Sequence, residues 1–254
     1  RTGELREHRR EDRITKLVPV EYDPEATAPT WDAFLQRIMD GDEDQIAFLQ
    51  RAVGYSLTGD VRERVLFFLY GRGANGKSTF LETVRALLGD YAQRTPTETL
   101  LVKRGGSIPN DVARLRGARF VSASESEEGK RLNEPLIKEL TGGDTLCARF
   151  LHAEFFEFKP ECKFWLATNH KPEIRGTDKA IWDRIKLIPF AVTIPEAKQD
   201  KHFGEKLKAE LAGILAWAVR GCLEWQEKGL GVSGEVKRAT ESYRQEMDTL
   251  GNFI

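Results

Sequence analysis

The run GRGANGKST at positions 71–79 constrains this chain more than any other segment. Gly71, Gly76, Lys77 and Ser78 fit the spacing G-x-x-x-x-G-K-[S/T], which binds phosphate when it follows a strand and opens a helix. Both neighbours are present. VLFFLY (65–70) is a continuous apolar run of strand length, and STFLETVRALLG (78–89) has helical spacing. Glycines let backbone N–H groups turn inward around phosphate oxygens, and a helix N-terminus adds partial positive charge. Gly71, Gly73, Ala74, Asn75, Gly76, Lys77, Ser78 and Thr79 are therefore the candidate cradle. In such a loop the lysine reaches the β- and γ-phosphates and the Ser hydroxyl helps hold magnesium. ATP with magnesium is the implied ligand; the alternative is a glycine-rich turn that binds nothing.

Hydrolysis needs carboxylates beside the loop, one for the metal and one for water. FVSASESEEG (120–129) supplies them at the end of a second apolar strand. Glu125 is the candidate metal and catalytic acid. Glu127 falls on the same side if extended geometry continues, and Glu128 is its rival as partner. The alternative is a solvated acidic turn. A third strand, KFWLAT (163–168), ends at Asn169, whose carboxamide can touch a γ-phosphate or water, or simply cap the turn before Pro172.

The rest of the chain has a clear organisation. Residues 1–30 are polar and proline-punctuated. Trp31, Phe34, Leu35 and Ile38, then Ile46, Phe48, Leu49 and Val53, mark two helices, giving a lead-in and small helical subdomain over 1–59. An ATPase core is expected over 60–195, with strands near 65–70, 119–124, 163–168 and 185–190. A hairpin inserted at 145–160 precedes the third. Residues 196–254 form a C-terminal helical segment, with one helix over 203–229 and another over 234–249. The expected class is α/β with a mostly parallel sheet. The 39 basic and 40 acidic residues sum to −1, so a basic surface must be local. The segment 103–119, with Lys103, Arg104, Arg114, Arg116 and Arg119, is one such surface, suited to single-stranded DNA or to salt bridges between subunits. Trp165 and Trp182 read as core, and His170 as a loop residue. Three cysteines without a C-x-x-C pair indicate neither disulfides nor zinc, no stretch is long enough for a membrane span, and an intracellular setting is expected. A start without Met and an end at GNFI suggest a piece of a longer protein.

The three elements 71–79, 120–128 and 163–169, in this order, resemble the superfamily three helicases, and more narrowly the helicase part of the phage and plasmid primase-helicase family. LNEPLIKELTGGDTLCARF (132–150), LATNHKPEIRGTDKAIWDRIKLIPF (166–190) and ATESYRQEMDTLGNFI (239–254) extend the resemblance over nearly the whole chain. It implies an AAA+-like core, a hexameric ring, ATP-driven movement along single-stranded DNA, and a primase or primase-polymerase region linked to this part. It implies that Lys77, Glu125, Glu127 and Asn169 serve catalysis and that Arg184 reaches a neighbour's nucleotide. It implies further that Lys138 and Gly142–Asp144 match the additional motif, and that the hairpin contacts DNA, with Arg149, His152 and Lys159 as candidates. The expected function is a replicative DNA helicase motor. The alternative from another class is an ATP-binding initiator module that rings DNA and recruits primase without unwinding.

Overall fold

The computed structural model describes residues 5–102, 110–124, 129–176 and 178–248. Helix α1 (Pro29–Ile38) starts at a proline and buries Trp31, Phe34, Leu35 and Ile38 along one face. Asp42 caps α2 (Glu43–Ser56) by accepting from the Gln45 amide at 3.0 Å. Then follow β1 (Leu66–Tyr70), α3 (Lys77–Leu88), β2 (Ala92–Arg94), the single turn α4 (Asn110–Ala113) and β3 (Phe120–Ser124). Helix α5 (Glu134–Gly142) leads into an antiparallel pair, β4 (Leu146–Ala148) and β5 (Phe156–Phe158). Strand β6 (Lys163–Thr168), α6 (Lys179–Arg184) and β7 (Ile185–Pro189) complete the sheet, and α7 (Phe203–Ala209), α8 (Leu211–Lys228) and α9 (Gly234–Met247) follow.

The five-stranded sheet has the order β2-β3-β6-β1-β7, and every pairing is parallel. Parallel strands need crossovers that cover both faces, which is why β1 and β6 are apolar at successive residues rather than at alternate ones. Phe67, Leu69 and Trp165 point to one face, packed by α1, α2, α3 and α8. Leu66, Phe68, Phe164 and Leu166 point to the other, packed by α5, the hairpin and Tyr243 of α9. Helices from both ends of the chain thus share one core.

The expected α/β class, the four strands and the inserted hairpin are present. Trp165 and Trp182 are core residues, as read. The helix expected over 203–229 is two helices, broken at Glu210. Its carboxylate accepts from the Thr30 amide at 2.9 Å and the Trp31 amide at 3.1 Å, satisfying free donors in the first turn of α1. Lys163, beside the hairpin base in sequence, is 2% exposed. Its ammonium donates to the carbonyls of Thr58, Asp60 and Glu161 and lies over the Tyr55 ring, which removes it from any surface contact.

Candidate nucleotide-binding site

Strand β1 ends at Tyr70, at the C-terminal edge of the sheet, and the chain turns there into the loop 71–76 before α3 begins at Lys77. Two glycines make this turn possible. Gly76 sits at φ +87 directly before the helix, a region that L side chains rarely adopt. At Gly71 a Cβ would lie 2.2 Å from Asn75 Nδ2 and 2.3 Å from the Phe190 carbonyl, so only glycine fits.

Lys77 is 6% exposed. Its Nζ donates to the Gly71 carbonyl at 2.6 Å, to Asn75 Oδ1 at 2.9 Å and to Asn169 Oδ1 at 3.1 Å. All three acceptors are neutral, so nothing offsets the desolvation of the ammonium, and burial pulls its pKa from 10.5 down to about 8. Asn75 is a second anchor: its Nδ2 donates to the Phe190 carbonyl at 3.1 Å, tying the loop to the end of β7. The motif's spacing leaves that position free, so no side-chain role for Asn75 was legible from the spacing.

The strand order brings Asn169 to the loop. Strand β6 lies beside β1, so the residue after Thr168 meets the residues after Tyr70. A cleft of about 240 Å³ is lined by residues 73–79, Ser124, Ala167, Thr168 and Asn169. It gathers the loop backbone, the exposed Ser78 hydroxyl and the ends of β3 and β6 in one place. Positive-φ backbone at Gly73, Ala74 and Gly76, followed by a helix N-terminus and a poised lysine, is a donor set that fits a polyphosphate. Ser124 lines this cleft at the end of β3; Glu125, Glu127 and Glu128 lie outside the described residues.

Arg184 stands elsewhere. Ile185 pairs with Leu66 at the start of β1, whereas the loop follows Tyr70 at its end. Four residues of strand, about 13 Å, separate the two levels, so Arg184 lies at the opposite end of the strands from its own loop. Its Nε donates to Thr141 Oγ1 at 3.1 Å and its Nη1 to the Ala180 carbonyl at 2.6 Å. Asp178 instead takes Lys138 at 2.9 Å and caps α6.

The hairpin carries Arg149, His152 and Lys159 on its exposed surface, with His152 at φ +61 in the tip. Apolar side chains dominate that tip: Phe150 is 44%, Leu151 73% and Phe155 50% exposed. The Arg149 guanidinium lies 4.8 Å from the Phe155 ring centre and Arg116 lies 5.3 Å from that of Phe156. The two basic segments considered separately in sequence therefore share one surface. Arg119 is not part of it. Its Nη1 donates to the Leu57 carbonyl at 2.8 Å and it stacks 4.0 Å over Tyr91. Lys103 and Arg104 lie outside the described residues.

A second hollow, about 340 Å³, adjoins the loop on the side of α1. Ala33 and Phe34 form one wall, Ile194 and Phe203 the other, with Arg37, Lys198 and Gln199 among the remaining lining residues. The Ile194 amide donates to the Ala74 carbonyl at 2.7 Å, fixing this wall to the loop. The sequence offered no signal for the hollow, because Ala33 and Ile194 in its walls are 161 residues apart.

Residues 69–184 match a "Family of unknown function (DUF5906)", and residues 1–40 match a family described as "D5 N terminal like". The chain is 28% identical to "Putative helicase L207/L206" of Acanthamoeba polyphaga mimivirus, over 94% of this chain and 27% of that protein. It is 28% identical to "Putative helicase 022R" of Frog virus 3, over 84% and 24%. It is 24% identical to "Putative primase C962R" of African swine fever virus, over 76% and 22%. The chain spans about a quarter of the length of these relatives. Among solved structures, the apo C-terminal region (305–718) of NrS-1 has the same fold, with a TM-score of 0.69 at 15% identity, covering 89% of this chain and 54% of that one. The chain is thus similar, over most of its length, to viral proteins named as helicases and primases.

Proposed function

We propose that this chain is the ATP-hydrolysing motor of a replicative DNA helicase, acting as a ring on single-stranded DNA and linked to a primase region in the full-length protein. The observation that carries the reading is Lys77, desolvated inside a glycine-turned loop and held between Asn75 and Asn169 at the mouth of the cleft. The structural lysine of this chain, Lys163, is closed off under backbone carbonyls and the Tyr55 ring, whereas Lys77 lines an open cleft. This one is paired with amide oxygens alone, and a polyphosphate can replace these with charged acceptors.

In this account the loop backbone and Lys77 hold the β- and γ-phosphates. Asn169, already bonded to Lys77, moves to the γ-phosphate or to the attacking water. Ser78 would hold magnesium together with Glu125, and the metal would supply positive charge to the phosphate oxygens. Arg184 lies about 13 Å from the level of its own loop, a placement that supports action at an adjacent subunit's nucleotide. A head-to-tail interface of this kind closes into a ring. The names of the viral relatives support helicase or primase work. The exposed Phe150, Leu151 and Phe155 beside Arg149 and Arg116 suit stacking on unpaired bases.

The test is Lys77→Ala. The variant should fold, because the lysine occupies the edge of a cleft, and should lose ATP hydrolysis by about a hundredfold or more. Hydrolysis at the parent rate would remove the motor reading.

A further inference from the structure

We infer that α5 is the positioning element for Arg184 and that Thr141 is the positioning residue within it, aiming the guanidinium at the neighbouring subunit's nucleotide. The inference rests on the proposed action of Arg184 in a ring and names the group that prepares it for that action.

The need for such a group follows from local structure. Arg184 is the last residue of α6, which is six residues long. So short a helix has little stability of its own. A long side chain at its end loses rotamer freedom when fixed, so its direction must be set from outside.

Helix α5 meets this segment at three points. Glu134, Lys138 and Thr141 are spaced four and three apart, which places them on one face of the helix. Glu134, 7% exposed, accepts from the Arg175 and Gly176 amides, both at 3.1 Å. At Gly176 a Cβ would lie 2.1 Å from Glu134 Oε2, so this approach requires glycine. Lys138 Nζ donates to Asp178 Oδ2 at 2.9 Å, while Asp178 Oδ1 accepts from the Ile181 amide at 3.2 Å and caps α6. Thr141 Oγ1 accepts from Arg184 Nε at 3.1 Å. One helix face thus fixes the entry, the cap and the last residue of α6.

Thr141 is suited to the last of these contacts. It is 3% exposed, and its hydroxyl donates to the Ile137 carbonyl at 2.7 Å. That commits its single proton and leaves lone pairs for Arg184. The Ala180 carbonyl holds Nη1 at 2.6 Å. Both acceptors are neutral, so the guanidinium is oriented while its charge stays available to a phosphate. Lys138, singled out in the sequence but unused by the phosphate loop, keeps the Asp178 carboxylate paired beside it.

The test uses the full chain, with assembly followed by particle mass. Thr141→Val keeps the shape and removes the hydroxyl, whereas Thr141→Ser keeps the hydroxyl. Thr141→Val should lower kcat for ATP by about tenfold or more and leave KM within about twofold, because its own loop is intact. Thr141→Ser should restore kcat to within about threefold of the parent. Mixing then separates positioning from mere support of the fold. Thr141→Val with Lys77→Ala should hydrolyse more than the sum of the two alone, because some interfaces join an intact loop to a positioned arginine. Thr141→Val with Arg184→Ala should gain nothing, since both defects lie on the same side of an interface. If Thr141→Val does not assemble, Thr141→Ala carries the same expectations. Parent kcat in the hydroxyl-free variant, or no gain on mixing it with Lys77→Ala, would overturn the inference. Failure of Arg184→Ala and Lys77→Ala to complement each other would instead overturn the action of Arg184 between subunits.

Discussion

Lys77 shows how one residue's surroundings set its chemistry. Its ammonium is buried among neutral oxygens, with its pKa lowered to about 8. Phosphates arriving beside it favour the charged form, so the pKa of the complex lies above that of the free protein. Binding therefore takes up a proton wherever the free protein has lost one. ATP affinity should be flat up to about pH 7 and fall above pH 8, by at most about tenfold per pH unit. Calorimetry at pH 7, 8 and 9 reads this directly, and an affinity constant to pH 9 would mean that Lys77 does not face the phosphates. At this scale the sequence was informative where chemistry fixes residue type: Gly71, Gly76, Lys77, Ser78 and the partner Asn169 were all legible. Asn75 was not, because its role arises from the nearness of Phe190, which only the fold creates.

Among the elements, β1, β3, β6 and β7 announced themselves as apolar runs, since a parallel sheet covered on both faces needs no alternation. Strand β2 did not. Ala92–Arg94 is a three-residue edge strand, half-buried to exposed, with no apolar run to mark it. The break between α7 and α8 was hidden for a different reason. Leu207, Leu211 and Leu215 keep helical spacing through Glu210, and the interruption serves α1, which is 180 residues away from Glu210 in sequence. The hairpin's spacing was readable, and Arg149, His152 and Lys159 were the expected DNA contacts. The exposed Phe150 and Phe155 beside Arg149 add a stacking surface that the sequence reading did not include. Replacing both phenylalanines with Ala should weaken single-stranded DNA binding by about tenfold or more and spare DNA-free ATP hydrolysis. The pair His152→Ala and Lys159→Ala should cost less and chiefly flatten the salt dependence. Fluorescence anisotropy at two salt concentrations separates these contributions. Equal affinity in both double variants would move DNA off the hairpin.

For the whole molecule, the geometry puts Arg184 and the phosphate loop at opposite ends of two adjacent parallel strands. In the proposed ring a single chain would carry half of two different sites. An Arg184→Ala chain and a Lys77→Ala chain should each be inactive alone, yet recover partial ATP hydrolysis when mixed, because some interfaces combine an intact loop with an intact arginine. Absence of recovery in assemblies shown by mass to contain both chains would reduce Arg184 to its bonds with Thr141 and Ala180. Strand order, which decides this arrangement, was not legible in the sequence, since each strand's apolar run is compatible with several neighbours. The central claim is that nucleotide turnover in this chain drives work on an unpaired strand. It is tested most directly by the steady-state ATP hydrolysis rate with and without single-stranded DNA, with particle mass recorded alongside. The account predicts a rate that rises by about tenfold or more with DNA in assembled particles and vanishes in Lys77→Ala. A rate indifferent to DNA in the same particles would contradict it.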